Sequence, residues 1–355
     1  MNICIVTSSF SRGGDDSVNA GVFVRDFALE LNKSKHKVFV LTPRKYGLAD
    51  RDPELEVKFF NWLGGEASLT HLNPKNPVEA IKIGSVVLGG IKEILAFVKE
   101  KKIDLCLAMW AIPSGIYAWV AKTLFDVPFA TWVLGSDVWR VNDYIGGQQI
   151  VKRILLDSDY LFADGLVLAS DVEKISGRRC SFLPTSRNLP VNSIKPAPVD
   201  LSKTNFLFIG RWHPNKGIDL LIDAFCALSR ERDDVFLYVF GGGPLESLIK
   251  KKIADYHLEE VIHLGEYLST TEVVSYLQAC DCLVIPSRIE SIPVILSDAI
   301  QVDSPVIVTP VGDMAEIVKK FNIGLVASNA SALAIKRAML DFRSLSDSSC
   351  FETGL

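Results

Sequence analysis

Most features that would assign a function quickly are scarce in this 355-residue chain. Its seven cysteines, at positions 4, 106, 180, 226, 280, 282 and 350, form no closely spaced even framework, which excludes a disulfide-stapled fold. Several lie in apolar runs such as "ICIV" and "CLVI", where a reduced cysteine acts as a small hydrophobe. Cys280 and Cys282 lack the second Cys/His pair of a zinc set, and the five histidines (36, 71, 213, 257, 263) show no ligand spacing. No metal centre is expected. A net charge of −4 argues against nucleic acid as the main partner. Residues 1–200 carry 24 Lys+Arg against 22 Asp+Glu, and residues 201–355 carry 14 against 20, an asymmetry that solvated surface charge explains. "MNICIVTSSF" has no basic start, long apolar run or cleavage site, so it reads as a strand and the protein as cytoplasmic. One uncharged run, Leu105 to Ala121, approaches membrane-spanning length. Pro113, Ser114 and Gly115 interrupt it, which makes it a strand, a loop and a helix start.

What is present is apolar and regular. Hydrophobic residues make up 48% of the chain, and the length exceeds one ordinary core. "NICIVTS" reads as a buried strand, "VFVRDFALELNKS" places Val24, Phe27, Ala28 and Leu31 on one helical face, and "KVFVLTP" is the next strand. Strand, helix, strand implies a right-handed parallel crossover. A helix is expected near 78–101, another from Ser114 to Leu124, and a further one across "VKRILLDSDYLFADG". The rhythm restarts at "NFLFIGR" and continues to "DMAEIVKKF". Residues 184–205 hold four prolines and read as a linker. The expected fold is α/β, with two doubly wound Rossmann-like domains facing a central cleft. They would occupy 1–195 and 200–340, with 341–355 a tail returning toward the first domain. Ligands would bind beyond the carboxyl ends of the strands.

In "FIGRWHPNKGIDLLIDAF" the strand ends at Gly210, and Ile218, Leu221, Ile222 and Phe225 recur at helical spacing. Arg211 thus lies at the end of a strand and Lys216 just before a helix N-terminus, where unpaired N–H groups already attract anions. Two cations there suit a diphosphate; a solvated loop with incidental charges is the plainer alternative. In "PSRIESIPVILSDAIQVDSPVIVTPVGDMAEI", Glu290 and Ser291 precede a helix and Asp298 follows Glu290 by eight residues. Such acids could accept hydrogen bonds from sugar or ribose hydroxyls. On spacing alone they also read as two surface acids.

Taken together, Gly210, Arg211, Lys216 and Gly217, then Pro286, Ser287, Arg288, Glu290, Ser291, Pro305, Val306, Gly312 and Glu316, make the chain resemble a family-4 retaining glycosyltransferase of the GT-B fold. Gly13 and Gly14 match its first glycine-rich loop, Gly135, Ser136 and Asp137 its Gly-Ser-Asp segment, and Gly241 to Pro244 a later glycine turn. The pattern departs at Asp298, where the family has Glu, at Asp303, where it has Gly, and at Leu134, where it has His. The C-terminus lacks the family's long aromatic-rich helix.

The resemblance implies transfer of a sugar from a UDP- or GDP-linked donor with retention. No cofactor or metal is required. Arg211, Lys216 and Glu290 would be catalytic, with the cations on the leaving diphosphate and Glu290 on sugar hydroxyls. Gly13, Gly14, Gly210, Gly243, Ser291, Ile292 and Asp298 would hold the donor, Asp298 at its ribose. Gly135, Ser136 and Asp137 would lie at the acceptor side. The acceptor would be a glycan, a lipid-linked or a small molecule in polysaccharide or glycolipid assembly, with peripheral contact at the inner membrane face through the 78–102 helix. "DSD" at 157–159 imitates a metal-binding Asp-x-Asp but lies in the wrong context. Alternatives are a catalytically silent homologue that binds nucleotide sugar, a nucleotide-sugar epimerase, and a nicotinamide dehydrogenase. "GGGPLESL" fits the last poorly, because leucine stands where a third glycine is needed.

Overall fold

The apolar runs become parallel strands because helices cover both faces of each sheet, so no alternation with polar residues is needed. In the computed structural model, which describes residues 1–11, 21–45, 52–65, 69, 72–139, 141, 146–191 and 194–346, the chain divides into Met1–Pro184 and Thr185–Leu355. The first unit runs β1 (Asn2–Val6), α1 (Val22–Lys33), β2 (Lys37–Pro43), β3 (Glu56–Phe60), α2 (Pro77–Lys101), β4 (Leu105–Met109) and α3 (Ser114–Phe125). It continues with β5 (Phe129–Val133), α4 (Ser136–Trp139), α5 (Gly147–Asp157), β6 (Tyr160–Ala163), α6 (Leu166–Ser176) and β7 (Ser181–Phe182). Its seven strands pair in parallel in the order β3-β2-β1-β4-β5-β6-β7. Cys4, Val6, Phe39, Ile94, Phe97 and Tyr117 pack on one face of this sheet, and Ile5, Val24, Ala28, Val40 and Trp132 on the other.

The second unit runs β8 (Thr204–Arg211), α7 (Ile218–Ser229), β9 (Val235–Gly242), α8 (Glu246–Tyr256), β10 (Ile262–Gly265), α9 (Thr270–Ala279) and β11 (Cys282–Ile285). Then come α10 (Val294–Gln301), β12 (Val306–Val308), α11 (Met314–Phe321), β13 (Gly324–Val326) and α12 (Ala332–Ser346). Its six strands pair in the order β10-β9-β8-β11-β12-β13, all parallel. Phe206, Leu221, Phe225, Leu237 and Val239 fill one face, and Leu207, Phe240, Leu283, Leu296 and Val308 the other. Both units are doubly wound and Rossmann-like, as the alternation of runs implied.

The structure corrects three expectations. The helix expected through residues 151–165 stops at Asp157, because Ser158 turns to extended backbone and Asp159 bonds the start of β5. That bond launches Tyr160–Ala163 as a strand beside β5. Residues 185–191 and 194–201, part of the expected linker, belong to the second unit, in which Thr185 and Arg187 are buried. Residues 341–346 of the expected tail continue a helix, α12, which buries Ile335, Met339 and Phe342 in the core of the second unit, with Phe342 edge-on to Phe206 at 6.4 Å. Residues 347–355 of the expected tail lie outside the described residues. The acids of "DSD" are engaged locally, Asp157 by Trp119 and Arg153 and Asp159 by Lys122. Among the described residues no helix is long and apolar enough to cross a membrane.

Candidate active site

The chain leaves β8 for β9 on one side, and β11 returns on the other, so the strand order reverses between β8 and β11. Ligands of doubly wound sheets bind beyond the carboxyl ends at such a point. The two loops leaving these strands are the Arg211–Gly217 and Pro286–Ser291 segments, and their backbones touch. Gly217 has φ +69°, and a Cβ there would fall 1.9 Å from the Pro286 carbonyl oxygen, so only glycine permits the approach. The N–H of Arg288 donates to the Asn215 carbonyl at 2.7 Å. The Arg288 guanidinium spans both oxygens of Asp219 at 2.8 and 2.7 Å and also reaches the Pro214 carbonyl at 2.7 Å. Burial pushes the Asp219 carboxyl up, but these bonds outweigh it and hold the group below the usual carboxylate range.

Across this seam Lys216 Nζ donates to Glu290 Oε2, with both side chains partly exposed. The sequence reading gave the two residues separate tasks; the structure joins them in one ion pair at the mouth of the site. Arg211 ends β8 opposite Gly242, whose carbonyl accepts from Tyr267 Oη at 2.8 Å. Burial raises the Tyr267 hydroxyl above its ordinary value, and the charge of Arg211 opposes that rise. His213 Nδ1 accepts from the Asn215 N–H and caps the turn Pro214–Lys216, so this histidine shapes the loop. A third loop closes the floor. Gly312, at φ +55°, would place a Cβ 2.2 Å from the Glu290 carbonyl oxygen. The hydroxyls of Ser287 and Ser291 are buried and have no hydrogen-bond partner among the described residues. Two donors are thus kept beside Glu290 with their bonding capacity unspent.

The remaining expected residues divide. Gly210 is the penultimate residue of β8, and Gly243 sits at φ +150° against the Trp212 carbonyl, so both line the same end of the sheet. The Ile292 side chain packs into the core, so only its backbone is left to face a donor beside Ser291. Asp298 is a correction. Its side chain has no exposed surface, and Arg187 takes both oxygens, with Nε at 3.0 Å from each. Burial raises this carboxyl, and Arg187 pulls it back only in part. A carboxylate so placed has no open face for a ribose hydroxyl. Gly13 and Gly14 lie outside the described residues.

In the first unit, Gly135 has φ +93° and Ser136 opens α4. Asp137, expected at the acceptor side, instead staples two loops. Its Oδ2 accepts the Ala111 N–H at 2.6 Å, and its Oδ1 accepts that of Leu134 at 3.1 Å. Burial pushes its pKa up to about 6 against these bonds. The folded value exceeds the usual aspartate value, so the associated stability is complete below about pH 4 and is lost as pH rises through 6. Carbon-detected NMR titration should place the Asp137 carboxyl near pH 6. The Asp137→Leu variant should lose this pH dependence, which for two pKa units amounts to about 3 kcal/mol.

Sequence reasoning assigned no task to Arg288, Tyr267 or Asp219, although Arg288 stands inside the recognised pattern. A charged side chain two residues before Glu290 was the only available signal. Arg187 gave none, since it lies in a proline-rich stretch 111 residues from its partner. Among the described residues no group of three or more His, Cys, Asp or Glu side chains could hold a metal ion.

Residues 192–349 match the family described as "Glycosyl transferases group 1". An uncharacterized glycosyltransferase of Methanocaldococcus jannaschii is 26% identical over 265 residues, 74% of this chain and 69% of that protein. The Bacillus subtilis protein named "Putative teichuronic acid biosynthesis glycosyltransferase TuaC" is 27% identical over 345 residues, 88% and 83% of the two chains. Among solved structures, a sucrose-phosphate synthase from Thermosynechococcus elongatus superposes with TM-score 0.77 at 18% identity, covering 98% of this chain and 90% of that one. Anabaena HepE in complex with UDP-glucose superposes with TM-score 0.70 at 14% identity, with the same coverages. The chain therefore has the GT-B fold of two Rossmann-like domains, and its second half, which carries the Lys216–Glu290 site, matches the group 1 glycosyl transferases.

Proposed function

We propose that the protein is a retaining glycosyltransferase that moves a sugar from a nucleotide-diphosphate donor, UDP- or GDP-linked, to a glycan, lipid-linked or small-molecule acceptor. The observation that carries this reading is the Lys216–Glu290 pair, formed where two loops meet beyond β8 and β11. The second unit would take the donor and the first the acceptor. As the glycosidic bond breaks, the leaving diphosphate gains charge, which Arg211, Lys216 and nearby N–H groups stabilise more in the transition state than in the ground state. Glu290 releases part of its hold on Lys216 to accept from the sugar's hydroxyls, and the buried hydroxyls of Ser287 and Ser291 offer further bonds. The acceptor attacks the face the diphosphate leaves, and its proton passes to the departing phosphate oxygen. The cations replace a metal in this scheme.

Support for the donor class comes from the HepE structure, which holds UDP-glucose, and for polysaccharide assembly from the name of the B. subtilis relative. We place the protein in the cytoplasm, at the inner membrane face. Helix α2 exposes Val78, Ile81 and Leu88, which is what peripheral contact with lipid needs, while its Ile94 and Phe97 serve the core. The test is nucleotide-diphosphate release from a panel of UDP- and GDP-sugars, with and without acceptor and with EDTA. Release that requires acceptor and survives EDTA is expected. Sugar inversion without release would assign an epimerase, and binding without turnover a silent homologue.

A further inference from the structure

The buried Asp298 bears on which nucleotides the site takes. A carboxylate that accepts from pentose hydroxyls is a common way to select a ribonucleotide, and it needs an oxygen facing the ligand. Here α10 turns Asp298 inward, beside Leu296 and Ala299, both without exposed surface. The Thr185–Arg187 segment lies over it and is fastened along the helix. Ser297 Oγ donates to the Thr185 carbonyl at 3.1 Å, and Gln301 Nε2 donates to the Arg187 carbonyl at 3.1 Å. Between these two bonds the Arg187 guanidinium occupies both oxygens of Asp298. Freeing an oxygen would require undoing the segment and leaving a guanidinium unpaired in a dry place. Glu290, the other acid that the sequence offers a donor, is paired with Lys216 and assigned above to the hydroxyls of the transferred sugar.

Resting on the donor reading above, we infer that the site binds its nucleotide without selecting for the pentose 2′-hydroxyl, so that deoxynucleoside-diphosphate sugars belong to its substrate class beside the ribonucleotide forms. Asp298 is thus a fastening for the Thr185–Arg187 segment.

Calorimetric titration of the full chain with three pairs, UDP and 2′-deoxy-UDP, GDP and 2′-deoxy-GDP, ADP and 2′-deoxy-ADP, tests this. For whichever base binds, the two members should agree in Kd within about twofold, and the isosteric Asp298→Asn variant should leave the ribonucleotide Kd within the same range. A deoxynucleotide that binds tenfold or more weakly, the loss expected when a hydrogen bond to a charged group is removed, overturns the inference while leaving the donor reading intact. A tenfold loss of ribonucleotide but not deoxynucleotide affinity in Asp298→Asn does the same. Failure of all six nucleotides to bind overturns the donor reading and the inference with it.

Discussion

Lys216→Ala and Glu290→Ala are each expected to abolish measurable transfer, a fall of roughly 10²–10³-fold or more in kcat, while the thermal melt stays nearly unchanged. The two halves of this expectation have separate causes. Stability is spared because the pair is partly exposed, and such pairs contribute about 0–1 kcal/mol. The loops keep their shape through other bonds, namely Arg288 to Asp219 and the Arg288 N–H to the Asn215 carbonyl. Activity is lost because a preoriented charge aimed at a departing diphosphate is worth far more where water is displaced than at an open surface. Acceptor-dependent nucleotide release read beside differential scanning fluorimetry checks both halves. A large drop in Tm for either variant would make the pair a structural clasp and remove the basis of the functional reading.

The largest effect on stability should come from Arg187→Met. It leaves the Asp298 carboxylate buried without its cation, a loss of about 3–5 kcal/mol. For a domain of this size each kcal/mol shifts Tm by about 2–4 °C, so the second unit should melt roughly 10 °C lower. The double variant Arg187→Met/Asp298→Leu removes both charges and should recover most of that loss, because two apolar side chains of similar volume need no solvation. Calorimetry that resolves the melting of the second unit is the measurement. An Arg187→Met protein that melts with the parent would show that water already reaches the pair.

Some local features could be read directly from neighbouring residues. The strand "NFLFIGR" and the helix start near Gly217 are where the sequence pattern puts them, since a buried parallel strand is an unbroken apolar run and Gly217 alone accepts φ +69° there. Asp303, standing where the resembled family has glycine, adopts φ +56°, a conformation Asp tolerates better than most residues. Other elements were hidden. Strand β13, "GLV", is too short to show a period, and the cap of α12, Ser331 accepting the Ala334 N–H at 3.3 Å, stands in a run of small polar residues that reads as loop. Helix α5 and strand β6 ran together because "DSDY" has no breaker; the turn at Ser158 follows from Asp159 bonding to β5, a contact across the sheet.

The site divides the same way. Arg211 and Lys216 stand out locally as cations where an apolar strand hands over to a helix, whereas Glu290 and Ser291 were singled out by the resemblance and not by spacing. That Lys216 meets Glu290, 74 residues on, and that Asp298 turns from the ligand to Arg187, 111 residues away, could not be read from the sequence. Those partners are set by which strands lie adjacent and which segment crosses which helix. Charge–charge contacts at such separations depend on distances of a few ångströms that only the closed packing of the chain creates.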